Sequence, residues 1–159
     1  SGFSFKVNQT DAVGSNGSKD GGAATQYGAN YANGPLAAMI DVTSYGSAAA
    51  AGADKRTRTA VSYNLGMARV GLGMENNNNG AAADADKTLF SVSVPMGAIT
   101  LGGVYATTKT DGAGTAKGYD LSAQYALSKR TYVALQTQSI KAAGANAATN
   151  TRCQFAHSF

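Results

Sequence analysis

His157 is the only histidine and Cys153 the only cysteine in the 159 residues. Hydrolysis needs a base beside a nucleophile or an activated water. His157 stands near the end of the sequence, on the apolar side of an alternating segment. That position suits an interface side chain better than a base. Asp84 and Asp86 pair two carboxylates, but in an Ala-rich stretch with nothing to fix their geometry. One cysteine excludes an internal disulfide and a thiolate zinc cluster, and one histidine disfavours an imidazole-rich metal site. No enzyme, metal or cofactor is therefore expected. Fixed charge is the chemistry that remains. Lys6, Arg56, Arg58, Arg69 and Arg152, with Asp41, Glu75 and Asp120, each sit in short alternating segments. Rings of such charges set the ion concentration in a water-filled space.

Positioning them falls to strands, because period two runs along the whole chain. In 117–127, Tyr119, Leu121, Ala123, Tyr125 and Leu127 alternate with Gly118, Asp120, Ser122, Gln124 and Ala126. Successive strand side chains point to opposite sides, so this strand has one apolar and one polar face. The same holds in 36–46, 55–64 and 67–75, and similar alternation marks 2–9, 25–32, 88–95, 98–108, 131–140 and 151–159. Ten strands are expected and no helix. The uncharged run 88–108 is long enough for a membrane helix, but it alternates, and Pro95-Met96-Gly97 divides it into strand-length halves. Tight turns are predicted at 32–35, 64–66, 95–97 and 128–130, and longer polar loops at 10–24, 47–54, 76–87, 109–116 and 141–150. Short turns at one end and long loops at the other describe an antiparallel membrane barrel meander.

Composition supports the same class. Ala contributes 31 residues, whereas Val, Leu, Ile and Phe together contribute 25, few for a packed core. The net charge of +4 is too small to explain that deficit by disorder. Lipid would cover the apolar faces and water the polar ones, while closure would pair every backbone group. Tyr27, Tyr31, Tyr63, Tyr105, Tyr119 and Tyr125 are placed for interfacial girdles. The pI of about 9.2 comes from scattered basic residues, which gives no footprint for nucleic acid.

The ending Thr151-Arg152-Cys153-Gln154-Phe155-Ala156-His157-Ser158-Phe159 resembles the last strand of a Gram-negative general porin. Tyr-Ala-Leu-Ser-Lys-Arg-Thr at 125–131 and Tyr-Ala-Asn-Gly-Pro-Leu at 31–36 resemble beta-proteobacterial trimeric porins. The resemblance covers essentially the whole chain. It implies a homotrimer in the bacterial outer membrane, in contact with lipid and lipopolysaccharide, passing ions and small hydrophilic solutes. It also implies that Phe155, His157 and Phe159 form the signal read by the outer-membrane assembly machinery. Residues 1–159 would be the C-terminal portion of one porin β-barrel domain, with about ten of its roughly sixteen strands. A free-standing ten-stranded barrel is the alternative, with a narrower lumen.

On this reading Lys6, Asp41, Arg56, Arg58, Arg69, Glu75, Asp120 and Arg152 line the pore. Their excess of positive charge predicts weak anion selectivity. Arg56 and Arg58 follow a loop directly, so either the narrowest point or the vestibule could hold them. A structural or adhesive barrel without an open channel is the competing function. The loops disfavour it, because they lack the aromatic anchors that binding surfaces use.

Overall fold

A computed structural model of the chain describes residues 2–12, 21–46, 54–79 and 83–158. Ten strands form one sheet: β1 (Gly2–Ala12), β2 (Gly21–Asn33), β3 (Leu36–Tyr45), β4 (Lys55–Asn64), β5 (Arg69–Asn78), β6 (Ala85–Met96), β7 (Ile99–Thr110), β8 (Gly114–Ser128), β9 (Thr131–Lys141) and β10 (Ala147–His157). Spatial order equals chain order, and every neighbouring pair is antiparallel. No helix occurs among the described residues. At 10 to 15 residues, the strands match the length a tilted strand needs to cross a bilayer. β1 and β10 are the two edges of the sheet.

Tight turns close one end of the meander. Gly34 and Gly97 adopt φ of 52° and 62° there, a region that residues with a Cβ rarely occupy. The β8–β9 turn has no glycine. Ser128 Oγ instead accepts the Arg130 amide at 3.2 Å, and a bulge between Ala126 and Ser128 absorbs the misfit.

The opposite end departs from the sequence expectation in the length of its connections. The loop expected over 76–87 shrinks to 79–84, that over 109–116 to 111–113, and that over 141–150 to 142–146. Polar residues continue the ladders because their side chains find partners. Asn76 donates to Asp86 at 2.8 Å, Asn77 donates to Glu75 at 2.8 Å, and the Asn79 amide donates to Asp84 at 2.9 Å. β1 and β2 likewise reach Ala12 and Gly21. Residues 13–20 and 47–53, which carry most of two expected loops, lie outside the described residues, as does Phe159.

No hydrophobic side chain is buried among the described residues. The register instead collects the large apolar groups on one face. One row across that face reads Phe3, Tyr31, Ala38, Val61, Leu72, Phe90, Tyr105 and Tyr119. Phe3 and Tyr31 pack with ring centroids 4.6 Å apart. Phe3, Phe5 and Phe155 are 70%, 78% and 67% exposed. Such a face needs an apolar solvent. All six tyrosines named for the girdles lie on this face by register.

A charged row across the polar face

The polar face carries an ordered line of charge. Registers align Lys6, Gly28, Asp41, Arg58, Glu75 and Lys87 in one row across β1 to β6. Apart from Gly28, the signs alternate along it. Each strand contributes one residue because direct antiparallel partners project to the same side.

Asp41 anchors this row and is only 1% exposed. Its carboxylate accepts Arg58 Nη2 at 3.1 Å on Oδ1. Its Oδ2 faces Lys6 Nζ at 3.3 Å and accepts Gln26 Nε2. A buried carboxylate is tolerated only when partners replace the water it loses. Lys6 lies two strands away and reaches Asp41 by crossing Gly28. A Cβ on Gly28 would fall 2.5 Å from Lys6 Cε and 3.0 Å from Cγ. Gly28→Ala should therefore lift the Lys6 ammonium off Asp41 and leave the fold intact, since the lysine stem can swing aside. A structure of the variant checks this, and an undisturbed Lys6–Asp41 pair would refute it.

The second half of the row joins Lys87 Nζ to Glu75 Oε1 at 2.7 Å. Arg56 lies on the same face, 5.9 Å above the Tyr45 ring centroid. The Nε atoms of Arg56 and Arg58 are enclosed and have no hydrogen-bond partner among the described atoms. Asp120 and Arg152 form a separate cluster through Gln136, which donates to Asp120 and accepts Arg152 Nε at 2.6 Å. Arg69 stands apart. It opens β5 at the tight-turn end, six residues from Glu75, about 20 Å along the strand.

All eight charged residues expected on the polar side share that face by register. The structure brings Lys6, Asp41, Arg58 and Glu75 into one row, and Asp120 and Arg152 into another cluster. It does not bring Arg69 to either. Sequence reasoning missed Lys87, which was expected in a loop, and also Gln26, Gly28 and Gln136. Lys87 had a signal, because Lys87, Leu89, Ser91 and Ser93 alternate with Thr88, Phe90, Val92 and Val94. Beside the row toward the tight turns, Ala37, Ala60, Gly71 and Gly73 leave a hollow of about 440 Å³. Among the described residues, no group of acidic, histidine and cysteine side chains could hold a metal.

On the other face, His157 Nδ1 lies 2.8 Å from Thr131 Oγ1, and Phe155 stands opposite Val133. Cys153 is exposed on that face opposite Leu135.

An antiparallel meander with an uncovered apolar face and a charged opposite face is the wall of a membrane-spanning β-barrel with a polar interior. The sequence pattern of the Gram-negative porin family matches residues 1–145, and the chain belongs to that family. It is a bacterial outer-membrane β-barrel protein of a channel-forming family. Solved structures agree in fold. A porin refined at 1.8 Å shares 17% identity at a TM-score of 0.77, over 95% of this chain and 56% of its own. The anion-selective porin from Comamonas acidovorans shares 19% at 0.75, over 86% and 49%. A mutated porin of Rh. blastica shares 17% at 0.64, over 82% and 43%. The chain thus spans about half the length of the porins it matches. No curated protein matches it in sequence.

Proposed function

We propose that residues 1–159 are the C-terminal portion of a barrel of about sixteen strands that works as a trimeric, weakly anion-selective diffusion channel. The length of the matched porins and the two sheet edges, β1 and β10, support the larger barrel. The observation that carries the functional reading is the charged row on the face opposite the lipid-compatible one. Small hydrophilic solutes and ions cross in water along this wall, and no bond is made or broken.

Selectivity follows from the balance of fixed charge. Described strand residues put Lys6, Arg56, Arg58, Arg69, Lys87 and Arg152 on the polar face, against Asp41, Glu75 and Asp120. Fixed positive excess raises the local anion concentration. Pairing of Asp41 and Glu75 with cations cancels part of it, which makes the preference weak. The anion-selective Comamonas porin, alike in fold, supports the direction. The trimer and the reading of Phe155, His157 and Phe159 by the assembly machinery belong to the same proposal. Exposure of Phe155 on the outer face of β10 supports the latter.

Planar-bilayer recording of the full-length protein in a salt gradient tests the proposal. Discrete steps in groups of three and a zero-current potential on the anion side are expected. Arg58→Ser with Arg69→Ser should move that potential toward cations by a few millivolts or more, by the loss of two wall charges. An unchanged potential would remove these two arginines from the selectivity argument. Folded protein that conducts nothing would sink the channel and favour a structural barrel.

A further inference from the structure

A second hollow opens on the polar face, across β7, β8 and β9. It measures about 260 Å³, room for a single sugar ring. Val104, Asp120 and Gln138 form one row of its lining. Ala106, Gly118 and Ile140 form the next row toward the loops. Gly118 floors it, where a Cβ would fall 3.2 Å from the Ser139 carbonyl oxygen. A smaller recess of about 60 Å³ adjoins, between Gln136, Gln138, Asn150 and Arg152. Gln138 lines both.

Unengaged hydrogen-bonding groups border both spaces. Gln138 stands in register between Asp120 and Asn150, and Gln136 between Ser122 and Arg152. Gln136 is held at both ends, donating to Asp120 and accepting Arg152 Nε at 2.6 Å. Gln138 and Asn150 are exposed and make no side-chain hydrogen bond among the described residues. Asp120 uses Oδ2 for Gln136, and its Oδ1 has no partner among the described residues.

The chemistry of this corner selects its solute. A carboxamide offers donors and an acceptor without net charge. A hydroxyl donates and accepts at once, so amides side by side suit the neighbouring hydroxyls of a polyol. The floor of Val104, Ala106 and Ile140 suits C–H groups instead. A sugar ring carries both, C–H groups on its faces and hydroxyls around its edge. An anion fits less well, because Asp120 lines the hollow whereas Arg152 lies one row nearer the tight turns, held by Gln136. The corner stands in the loop-end half of β8, which begins at Gly114. That end of an outer-membrane barrel faces the cell exterior, so an incoming solute meets it early.

We propose that this corner of the wall is a binding site for a neutral sugar of two rings. One ring lies with a face on Val104, Ala106 and Ile140 and its hydroxyls on Asp120 and Gln138. The second ring reaches Asn150 and Arg152 across the smaller recess. A solute that pauses here makes flux saturable, which free diffusion through water is not. The proposal rests on the channel reading and names a solute class for it.

Saturation-transfer NMR of the full-length protein in detergent, titrated with trehalose, tests it. Trehalose is uncharged, has two rings and exists as one species in water. A polyethylene glycol dimethyl ether of similar length is the comparison, because it accepts hydrogen bonds but donates none. Wild type should bind trehalose saturably, roughly tenfold or more tighter than the ether. Gln138→Ala with Asn150→Ala should weaken trehalose binding about tenfold, the loss of two amide partners. Ala106→Leu touches no amide and should weaken it severalfold by filling the hollow. Equal affinity of wild type for sugar and ether would overturn the proposal, and this comparison stands even where a variant fails to fold. Trehalose binding that never saturates would mean an ordinary wet wall and also overturn it, as would full binding by either folded variant. Single-channel recording on the same samples separates the two readings. A conducting protein that binds no trehalose would remove this site alone, whereas saturable trehalose binding by a protein that never conducts would remove only the channel.

Discussion

Leu121→Arg should destabilise the folded protein in lipid vesicles by about 2–4 kcal/mol, whereas Ser122→Arg should cost less than about 1 kcal/mol. The two residues are neighbours in β8 and face opposite ways. Leu121 stands opposite Gly103 and Thr137 on the apolar face and is 52% exposed. A guanidinium there must sit in hydrocarbon or drag headgroups and water toward it. Ser122 stands opposite Gly102 and Gln136 on the polar face, beside Asp120 and Gln124 in the same strand. An arginine there stays in water with a carboxylate in reach. Urea unfolding midpoints of the full-length variants, followed by heat-modifiable gel mobility, measure the difference. Equal costs would mean that β8 is not amphipathic in the membrane, and the face assignment of the sheet would fall with it.

Asp41→Ala should give the second large effect, and it should register twice. Removing the carboxylate leaves Arg58 and Lys6 facing each other without the group that separates them, and Gln26 without its acceptor. Charge-assisted hydrogen bonds contribute about 1.5–3 kcal/mol each. Lys6 and Arg58 remain 45% and 37% exposed, so water screens much of what is lost. A net cost of about 2 kcal/mol follows. The zero-current potential should move further toward anions at the same time, because the wall loses a negative charge and frees two positive ones. Asp41→Asn separates these effects. It keeps one acceptor oxygen for these donors and recovers part of the stability, yet should keep the anion shift. A stability loss without any shift in potential would make Asp41 a purely structural residue.

Much of this wall was legible in the sequence. Strict alternation named all ten strands and assigned eight of the charged residues to the polar face, since a strand side chain has only two directions to choose from. The 117–127 segment needs no neighbour to show which side is apolar. Glycine in tight turns, as at Gly34 and Gly97, placed the hairpins and hence the antiparallel order. Family membership was legible too, because the ending at 151–159 and the two internal segments resemble porin sequences. Strand ends were less legible. Asn76 to Asn78 read as loop by composition, yet Asn76 and Asn77 find carboxylate partners on neighbouring side chains and the ladder continues through Asn78.

Pairing across strands was the part that only the tertiary structure decided. Period two fixes a side chain's face but not its height, and height comes from the register between strands far apart in sequence. Lys6 and Asp41 are separated by 35 positions, and their meeting needs two registers and a missing Cβ at Gly28. Arg69, on the correct face, is held about 20 Å from Glu75 by the same geometry. The row of Asp120, Gln138 and Asn150 likewise exists only once β8, β9 and β10 are paired. Local alternation thus set the two chemistries of the sheet, and inter-strand hydrogen bonding set which charges meet.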